Sequence, residues 1–234
     1  MYTPQQVARV IDHAVLKPNM TGGDVIAAAE MCRRRGVGNL CVRPSDVRLA
    51  ADLLRGSDTT VAAVVGFPHG GHCTAIKAQE ARLAIDDGAR ELDMVINIGK
   101  FLSGECQLVQ QDIASVVEVA KPRGVLVKVI LETCYLTLEQ VAQACRLAQA
   151  AGADFVKTST GFAEQGATPD VIDVMLKTVG DSMGVKASGG VRSWDIAVGY
   201  LRQGCRRLGV GSTEAVLDGG AAQAIDGGKS DEHY

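Results

Sequence analysis

The sequence predicts a single-domain (β/α)8 barrel, also called a TIM barrel, and three observations support this prediction. Short runs of apolar and β-branched residues occur eight times along the 234 residues. Amphipathic stretches such as TAIKAQEARLAIDDG separate the runs, and glycine comes shortly before most of them. Strict alternation of strand and helix favours parallel strands, and about 250 residues is typical of the closed barrel. The alternative is an open doubly wound sheet, but no G-x-G-x-x-G follows the first strand.

The eight candidate strands follow one another along the chain. They are IDHAVL (11–16), NLCV (39–42), TVAAVVGF (60–67), ELDMVIN (91–97), VLVKVILE (125–132), DFVKTST (154–160), GVKASGG (184–190) and RRLGVGS (206–212). Glycine accepts a left-handed conformation just after a helix, so the glycines before these runs mark expected helix ends. These glycines are Gly36, Gly56, Gly88, Gly124, Gly152, Gly184 and Gly204.

Composition is typical of a folded globular protein, with 47% hydrophobic and 22% charged residues. A net charge of −3 gives no general reason to expect nucleic acid or an anionic membrane as a partner. The seven cysteines form no C-x-x-C pair, which argues for reduced thiols. The start, MYTPQQVARVIDH, lacks a signal-peptide pattern, and no run of about 20 apolar residues is present, so we expect a cytoplasmic protein.

The end of the sequence is expected to lie outside the barrel. We place the barrel at residues 1–217 and a flexible tail at 218–234, because DGGAAQAIDGGKSDEHY is rich in glycine and charge. Tyr234 could fold over the pocket as a lid that supplies a phenol, or it could end a frayed terminus. The sequence leaves both open.

Several candidate strands carry charged residues where a buried strand would be apolar. Alternate residues of a strand face opposite sides. In ELDMVIN one face is apolar and the other holds Glu91, Asp93, Val95 and Asn97, so the polar face should be the barrel interior. Lys128, Lys157 and Lys186 lie on three later strands. If they also face inward, they meet Asp93 and Glu132 in one compact space.

Two interpretations of these lysines are open. The lysines could form structural ion pairs inside the barrel. Alternatively, Lys157 and Lys186 could belong to an active site, because they lie on adjacent strands near the carboxyl ends, where barrel active sites occur. A buried lysine beside another cation shifts toward the neutral amine, which can form a Schiff base with a carbonyl. We favour the second interpretation.

Glycines after the last three strands indicate a phosphate site. Backbone N–H groups in such loops, with the starts of the following helices, can cradle phosphate, and barrels often place such a site after strands 7 and 8. The segments are Thr160-Gly161, Gly189-Gly190, and Gly209 with Gly211-Ser212.

At these residues the chain resembles the deoxyribose-phosphate aldolase family of class I, Schiff-base aldolases on a (β/α)8 barrel. The motifs that carry the resemblance span nearly the whole chain: IDHAVLKP, CVRP, VVGFP, KAQEARLAIDDGARELDMVINIG, VKVILET, GADFVKTSTGF, VKASGGVR and LGVGS. The resemblance implies a cytoplasmic lyase of deoxyribonucleotide catabolism and carbohydrate degradation. It would reversibly cleave 2-deoxy-D-ribose 5-phosphate into acetaldehyde and D-glyceraldehyde 3-phosphate.

The resemblance also implies roles for individual residues. Lys157 would form the Schiff base, Lys186 would lower its proton affinity, and Asp93 would exchange protons together with Lys186 and an ordered water. Asp12 would be a further polar contributor. Substrate and phosphate contacts would come from Thr160, Gly161, Gly189, Gly190, Gly211 and Ser212. The imine serves as the electron sink, so no metal or cofactor is implied, and family members are commonly homodimers.

Some positions depart from the family pattern or suggest other chemistry. Ala14 and Val15 stand where threonine and leucine are more usual, and PHGGHCT replaces a usual PxGxxxT, so we expect a different fit around the sugar. The histidines and thiol of PHGGHC form an incomplete metal set. Cys41 and Cys134 either line the pocket mouth or are small buried hydrophobes.

Two other functions are compatible with the same barrel. One is a Schiff-base aldolase for another phosphorylated sugar or keto acid, since a fold does not fix a function. The other is a catalytically silent sugar-phosphate binding protein in which Lys157 and Lys186 only clamp anions. Replacing Lys157 by alanine would distinguish an aldolase, which would lose turnover, from a binding protein, which would lose at most one ion pair.

Overall fold

A computed structural model describes residues 2–227 and shows a closed barrel of eight parallel strands within them. The strands follow chain order around the barrel, and the last pairs with the first, Asp12 lying opposite Gly209. They are β1 (Ile11–Val15), β2 (Asn39–Val42), β3 (Thr60–Val65), β4 (Glu91–Val95), β5 (Leu126–Ile130), β6 (Phe155–Lys157), β7 (Gly184–Ser188) and β8 (Arg207–Val210). The predicted fold class and all eight predicted strand positions are confirmed.

Helices lie on the outside of the barrel, and all except the first and the last lie between successive strands in the chain. In the described part of the chain they are α1 (Pro4–Arg9), α2 (Gly22–Arg35), α3 (Val47–Leu53), α4 (Thr74–Asp86), α5 (Ile98–Leu102), α6 (Cys106–Ala120), α7 (Leu138–Ala150), α8 (Pro169–Val179), α9 (Trp194–Gln203) and α10 (Thr213–Gly227). None of these helices is both long and apolar enough to cross a bilayer.

Local sequence explains where the helices begin and end. Helix α7 begins after Thr137, whose hydroxyl accepts a hydrogen bond from the Gln140 backbone N–H while the Gln140 side chain accepts one from the Thr137 N–H. This reciprocal pair satisfies two otherwise unpaired donors. Helix α2 ends at Gly36, which adopts the left-handed conformation with φ of 65°.

The helix end predicted at Gly184 is wrong. Helix α8 is followed by Gly180, with φ of 54°, and Gly184 is the first residue of strand β7. A Cβ at Gly184 would lie 2.1 Å from the ring of Phe155 on the neighbouring strand. The glycine is therefore needed for close approach inside the sheet rather than for ending a helix.

The apolar core lies between the strands and the helices. Leu92, Met94 and Ile96, which alternate with the polar residues of β4, are fully buried in it. The predicted division of β4 into an outer apolar face and an inner polar face is therefore confirmed. The outer core fixes the strands, and the strands position the inner side chains.

Helix α10 crosses the boundary expected at residue 218. It continues to Gly227, and Asp218 within it forms a 2.8 Å ion pair with Arg35 of α2. The glycines that suggested a flexible tail allow close helix packing here, since a Cβ at Gly220 would lie 2.4 Å from the Trp194 ring of α9. Residues 228–234, including the candidate lid residue Tyr234, lie outside the described residues.

Candidate active site

The barrel interior contains a cluster of buried charged side chains, which we call the inner charge cluster. Its members come from the first strand and from strands β4 to β8. They are Asp12, Glu91, Asp93, Lys128, Lys157, Lys186 and Arg207. Burying isolated charges is costly, so such a cluster is tolerated only if its members pair with one another.

Asp93 lies at the centre of the cluster. Its Oδ2 accepts hydrogen bonds from the Nζ atoms of Lys157 and Lys186, both at 2.7 Å, and its Oδ1 accepts one from Lys128 at 2.8 Å. Lys157 and Lys186 are direct neighbours in the register of β6 and β7. The three strand lysines face inward, which meets the condition set out above, and they converge on one carboxylate.

The remaining members of the cluster lie around Asp12 and Glu91. Asp12 accepts hydrogen bonds from Lys186 and, at 2.9 Å, from Arg207. Lys128 forms ion pairs with Glu91 and, at 3.3 Å, with Asp12. Across the whole cluster, four basic side chains face three carboxylates. One cation is therefore in excess, and the basic group with the weakest support loses its proton most readily.

Lys157 is the basic group whose charged form is least stabilised by neighbouring carboxylates. Burial lowers its pKa, and the positive charge of Lys186 lowers it further, while Asp93 only partly opposes these effects. For Lys186, burial also favours the neutral amine, but Asp12 and Asp93 outweigh it and raise the pKa. Lys128 has a raised pKa for the same reason, with Glu91 as a further acidic neighbour. The cluster thus favours a neutral amine at Lys157 beside charged ammonium groups.

The two aspartates of the cluster stay ionised. Burial alone would raise the pKa of Asp93, but the charges of Lys128, Lys157 and Lys186 outweigh it and hold the pKa well below its usual range. Burial also opposes ionisation of Asp12, and there the surrounding lysines and Arg207 lower the pKa. An ionised Asp93 can accept a proton from a neighbouring group and return it.

A cavity of about 620 Å³ opens above Lys157 and Lys186 at the carboxyl ends of the strands. This is the end at which barrel enzymes carry their active sites. Every residue expected to contact substrate or phosphate lines it, namely Thr160, Gly161, Gly189, Gly190, Gly211 and Ser212. Asp12 and two basic residues at the mouth, Lys17 and Arg192, line it as well. The cavity therefore combines a buried amine with a glycine-rich, cationic rim.

The absence of a Cβ at Gly209 makes room at the floor of this cavity. Gly209 lies opposite Ser188 in the register of β7 and β8. A Cβ there would lie 2.1 Å from the Ser188 Oγ and 3.5 Å from Cε of Lys186. Glycine at this position therefore makes room for the Ser188 side chain, while the Lys186 side chain passes at ordinary van der Waals distance.

Contrary to expectation, Glu132 does not form an ion pair with the three strand lysines. Strand β5 ends at Ile130, and the backbone of Glu132 is left-handed, with φ of 53°. The alternation of faces ends there, and the carboxylate instead accepts hydrogen bonds from the N–H, at 3.1 Å, and the hydroxyl of Thr160. Glu132 thus supports the loop that carries Thr160 and Gly161.

Sequence reasoning missed several charged residues around the site. Arg207 donates hydrogen bonds to both Asp12 and Glu91. It lies opposite Lys186 in the register of β7 and β8, and its position in a predicted strand could have identified it. Outside the barrel, buried Lys77 pairs with Asp112 and donates to the carbonyl of Val95, the last residue of the strand that carries Asp93, at 2.9 Å. A helical lysine with apolar neighbours gave no sequence signal for that pair.

Arg43 was also missed, although it lies in the quoted motif CVRP. Its guanidinium is held by Asp46 at 2.7 Å and donates to the carbonyl groups of Lys17, Pro18 and Met20. These contacts fix the loop after β1, which carries Lys17 at the cavity mouth.

The cysteines and histidines are not members of the inner charge cluster. Cys41 is buried and lines the cavity, and burial raises the pKa of its thiol to about 11, so the thiol is neutral. Cys134 is half-buried and Cys73 is exposed. Among the described residues, no group of three or more His, Cys, Asp or Glu side chains is arranged to hold a metal ion.

Comparisons with known proteins give a consistent result. A family model described as DeoC/LacD family aldolase matches residues 6–198. Over 218 residues the chain is 45% identical to the deoxyribose-phosphate aldolase of Geobacillus sp., covering 93% of this chain and 97% of that protein. It is 48% identical to the corresponding protein of Thermococcus kodakarensis over 217 residues, covering 92% and 97%.

Solved structures agree in fold. The deoxyribose phosphate aldolase of Aeropyrum pernix, described as having a unique tetrameric structure, superimposes with a TM-score of 0.87 at 30% identity. That similarity covers 95% of this chain and 93% of the other. A protein described as QR15, an aldolase, has a TM-score of 0.89 at 32% identity, with coverage of 94% and 98%.

Proposed function

The chain belongs to the DeoC/LacD aldolase family and is a class I aldolase, and from this premise we propose that it cleaves 2-deoxy-D-ribose 5-phosphate reversibly through an imine on Lys157. The products are acetaldehyde and D-glyceraldehyde 3-phosphate. The observation that carries the residue assignment is the buried amine of Lys157, with a lowered pKa, beneath a cavity with a glycine-rich rim.

In the proposed reaction, the neutral Nζ of Lys157 attacks the C1 aldehyde of the open-chain sugar. The resulting carbinolamine loses water to give a protonated imine. Electrons of the C2–C3 bond then move toward the imine nitrogen, leaving an enamine on the two-carbon fragment. The C3 hydroxyl gives up its proton as C3 becomes the aldehyde of the three-carbon phosphate. Protonation of the enamine at C2 and hydrolysis of the imine release acetaldehyde.

Asp93 and Lys186 are the proposed proton carriers. Asp93 Oδ2 contacts the amines of both Lys157 and Lys186, so a proton can pass among these groups without leaving the cluster. Lys186 keeps its proton before the reaction because Asp12 and Asp93 raise its pKa. It can therefore act as an acid toward the departing water of the carbinolamine. Asp12 supports this state of Lys186 in the proposal.

The glycine-rich rim is the proposed phosphate site. Backbone N–H groups of Gly161, Gly189, Gly190 and Gly211 and the Ser212 hydroxyl would bind the phosphate oxygens. Gly189 has a φ of 80° and lies against the backbone of Gly166, so its loop is tightly folded. The substrate in this proposal is a small sugar phosphate. A homodimeric assembly and a cytoplasmic location remain predictions.

Reductive trapping tests the proposed function. Incubation with acetaldehyde and borohydride should convert the imine to a stable secondary amine, and peptide mass spectrometry should find an ethyl group on Lys157. Released D-glyceraldehyde 3-phosphate should appear with 2-deoxy-D-ribose 5-phosphate as substrate. Folded protein without an adduct on any lysine would contradict the imine and favour a sugar-phosphate binding protein. An adduct on Lys157 without cleavage of this substrate would indicate a different sugar.

The pH dependence of kcat/KM gives a separate prediction. Only the neutral amine of Lys157 attacks a carbonyl, and burial with the neighbouring Lys186 lowers its pKa from the usual 10.5. The acid limb of the profile should therefore break below pH 10.5, and below the break kcat/KM should fall about tenfold per pH unit. An acid limb with its break at or above 10.5 would contradict a lowered pKa at Lys157.

The same shift has a consequence for folding. Between the lowered pKa and 10.5, the unfolded chain binds more protons at Lys157 than the folded chain does. The contribution of this lysine to stability therefore rises with pH through that interval, and it is lost as the pH falls through the same interval to the lowered pKa.

A further inference from the structure

The segment from Gly211 to Thr213 forms a thin wall between two cavities. One is the catalytic cavity, and the other is a cavity of about 310 Å³ on the outer side, next to α2 and the start of α10. Gly211 and Ser212 line both cavities. A Cβ at Gly211 would meet nothing within 4 Å. The space beside Gly211 is open, so hydrogen bonds from neighbouring residues help to fix the position of this wall.

His13 supplies such a hydrogen bond. It lies next to Asp12 on β1, but its side chain points away from the barrel interior because neighbouring strand residues face opposite sides. Its Nδ1 lies 2.9 Å from the hydroxyl oxygen of Thr213, the first residue of α10. Thr213 is 1% exposed, so its hydroxyl is hidden from water. The bond ties the phosphate-side wall to the strand that carries Asp12.

The charge state of His13 suits this role. Burial lowers the pKa of its imidazole to about 4, and the nearby carboxylate of Glu214 only partly opposes the shift. The ring is therefore neutral near pH 7, so its contact with Thr213 is a hydrogen bond between uncharged groups and adds no charge to the start of α10. The first turn of α10 is closed by the Val216 N–H, which donates to the Ser212 carbonyl at 3.2 Å.

We propose that His13 is a positioning residue for the substrate phosphate, acting through its hydrogen bond to Thr213. The bond holds Gly211 and Ser212 where their polar groups meet the phosphate oxygens. This inference rests on the proposed function, in which these two residues bind phosphate. His13 does not touch the reacting carbon, so it affects binding of the phosphate group and not the chemical step.

The test compares two substrates that differ only in the phosphate, 2-deoxy-D-ribose 5-phosphate and 2-deoxy-D-ribose. His13→Phe and Thr213→Val each remove the bond while keeping most of the volume. Each should raise KM for the phosphorylated sugar about five- to tenfold, which corresponds to the loss of one buried hydrogen bond. The value of kcat for this sugar should stay within about twofold. For the unphosphorylated sugar, kcat/KM should stay within about twofold.

Conservative variants and a double variant complete the design. His13→Asn places an amide near the position of Nδ1, and Thr213→Ser keeps the hydroxyl, so both should restore most of the affinity for the phosphorylated sugar. The double variant His13→Phe/Thr213→Val should behave like either single variant, because both remove the same bond. The inhibition constant of inorganic phosphate should rise in parallel with KM.

Several results would overturn the proposal. Equal losses on both sugars, a fall in kcat alone, or identical effects of His13→Phe and His13→Asn would each show a general structural role. If His13→Phe fails to fold, the nearly isosteric Thr213→Val against Thr213→Ser decides the question. Failure of the proposed function looks different, because unmodified protein would then show no preference for the phosphorylated sugar or no adduct on Lys157.

Discussion

Replacing Lys157 by arginine should abolish turnover while keeping a positive charge in contact with Asp93. The guanidinium group stays protonated at all accessible pH values and is not a nucleophile, so no imine can form. We expect kcat to fall by at least about four orders of magnitude in Lys157→Arg, and equally in Lys157→Ala. Steady-state cleavage of 2-deoxy-D-ribose 5-phosphate measures the effect, and borohydride trapping with acetaldehyde should give no adduct at residue 157.

A matched control is available on the protein surface. Lys177 lies on α8 and forms an exposed 3.4 Å pair with Asp173, so Lys177→Arg makes the same chemical change outside the cavity. Its turnover should equal that of unmodified protein. If Lys157→Arg kept more than about one hundredth of the activity, or if an adduct moved to Lys186 with full turnover, Lys157 would not be the nucleophile.

The sequence could predict the barrel because the relevant signals are local. Each strand is a short apolar or β-branched run, and the alternation in ELDMVIN correctly divides β4 into an outer and an inner face. Two local predictions failed for reasons of backbone geometry. Glu132 leaves the inner face because its left-handed backbone ends the alternation, and Gly184 serves close packing against Phe155 rather than a helix end.

The alternation of inward-facing and outward-facing residues could not show which strand lysine has the lowered pKa. Lys128 and Lys157 both read as inward-facing, but the structure surrounds Lys128 with three carboxylates and gives Lys157 contact with one, Asp93. The difference comes from strand register and from Arg207, which competes for Asp12 and Glu91. Those contacts join residues more than 100 positions apart, so no local pattern could reveal which lysine has the lowered pKa.

Asp93→Asn should have the largest effect of any carboxylate change in the barrel. It removes the anion that Lys128, Lys157 and Lys186 share and leaves four basic side chains facing two carboxylates. We expect a loss of about 3–5 kcal/mol in the free energy of unfolding, the usual cost of breaking a buried ion pair. We also expect kcat to fall about a thousandfold or more, because the proposed proton carrier is lost.

Asp112→Asn separates these two effects, because it changes a buried carboxylate that pairs with a lysine outside the cavity. Asp112 is 1% exposed and binds Lys77, whose amine keeps a second partner in the Val95 carbonyl. Urea unfolding should show a loss of about 3 kcal/mol, whereas kcat of the folded fraction should stay within about threefold. Equal losses of kcat in the two variants would mean that Asp93 acts only by holding the barrel together. A much larger loss for Asp93→Asn assigns it to the proton transfers, because a structural defect of similar size at Asp112 leaves those transfers intact.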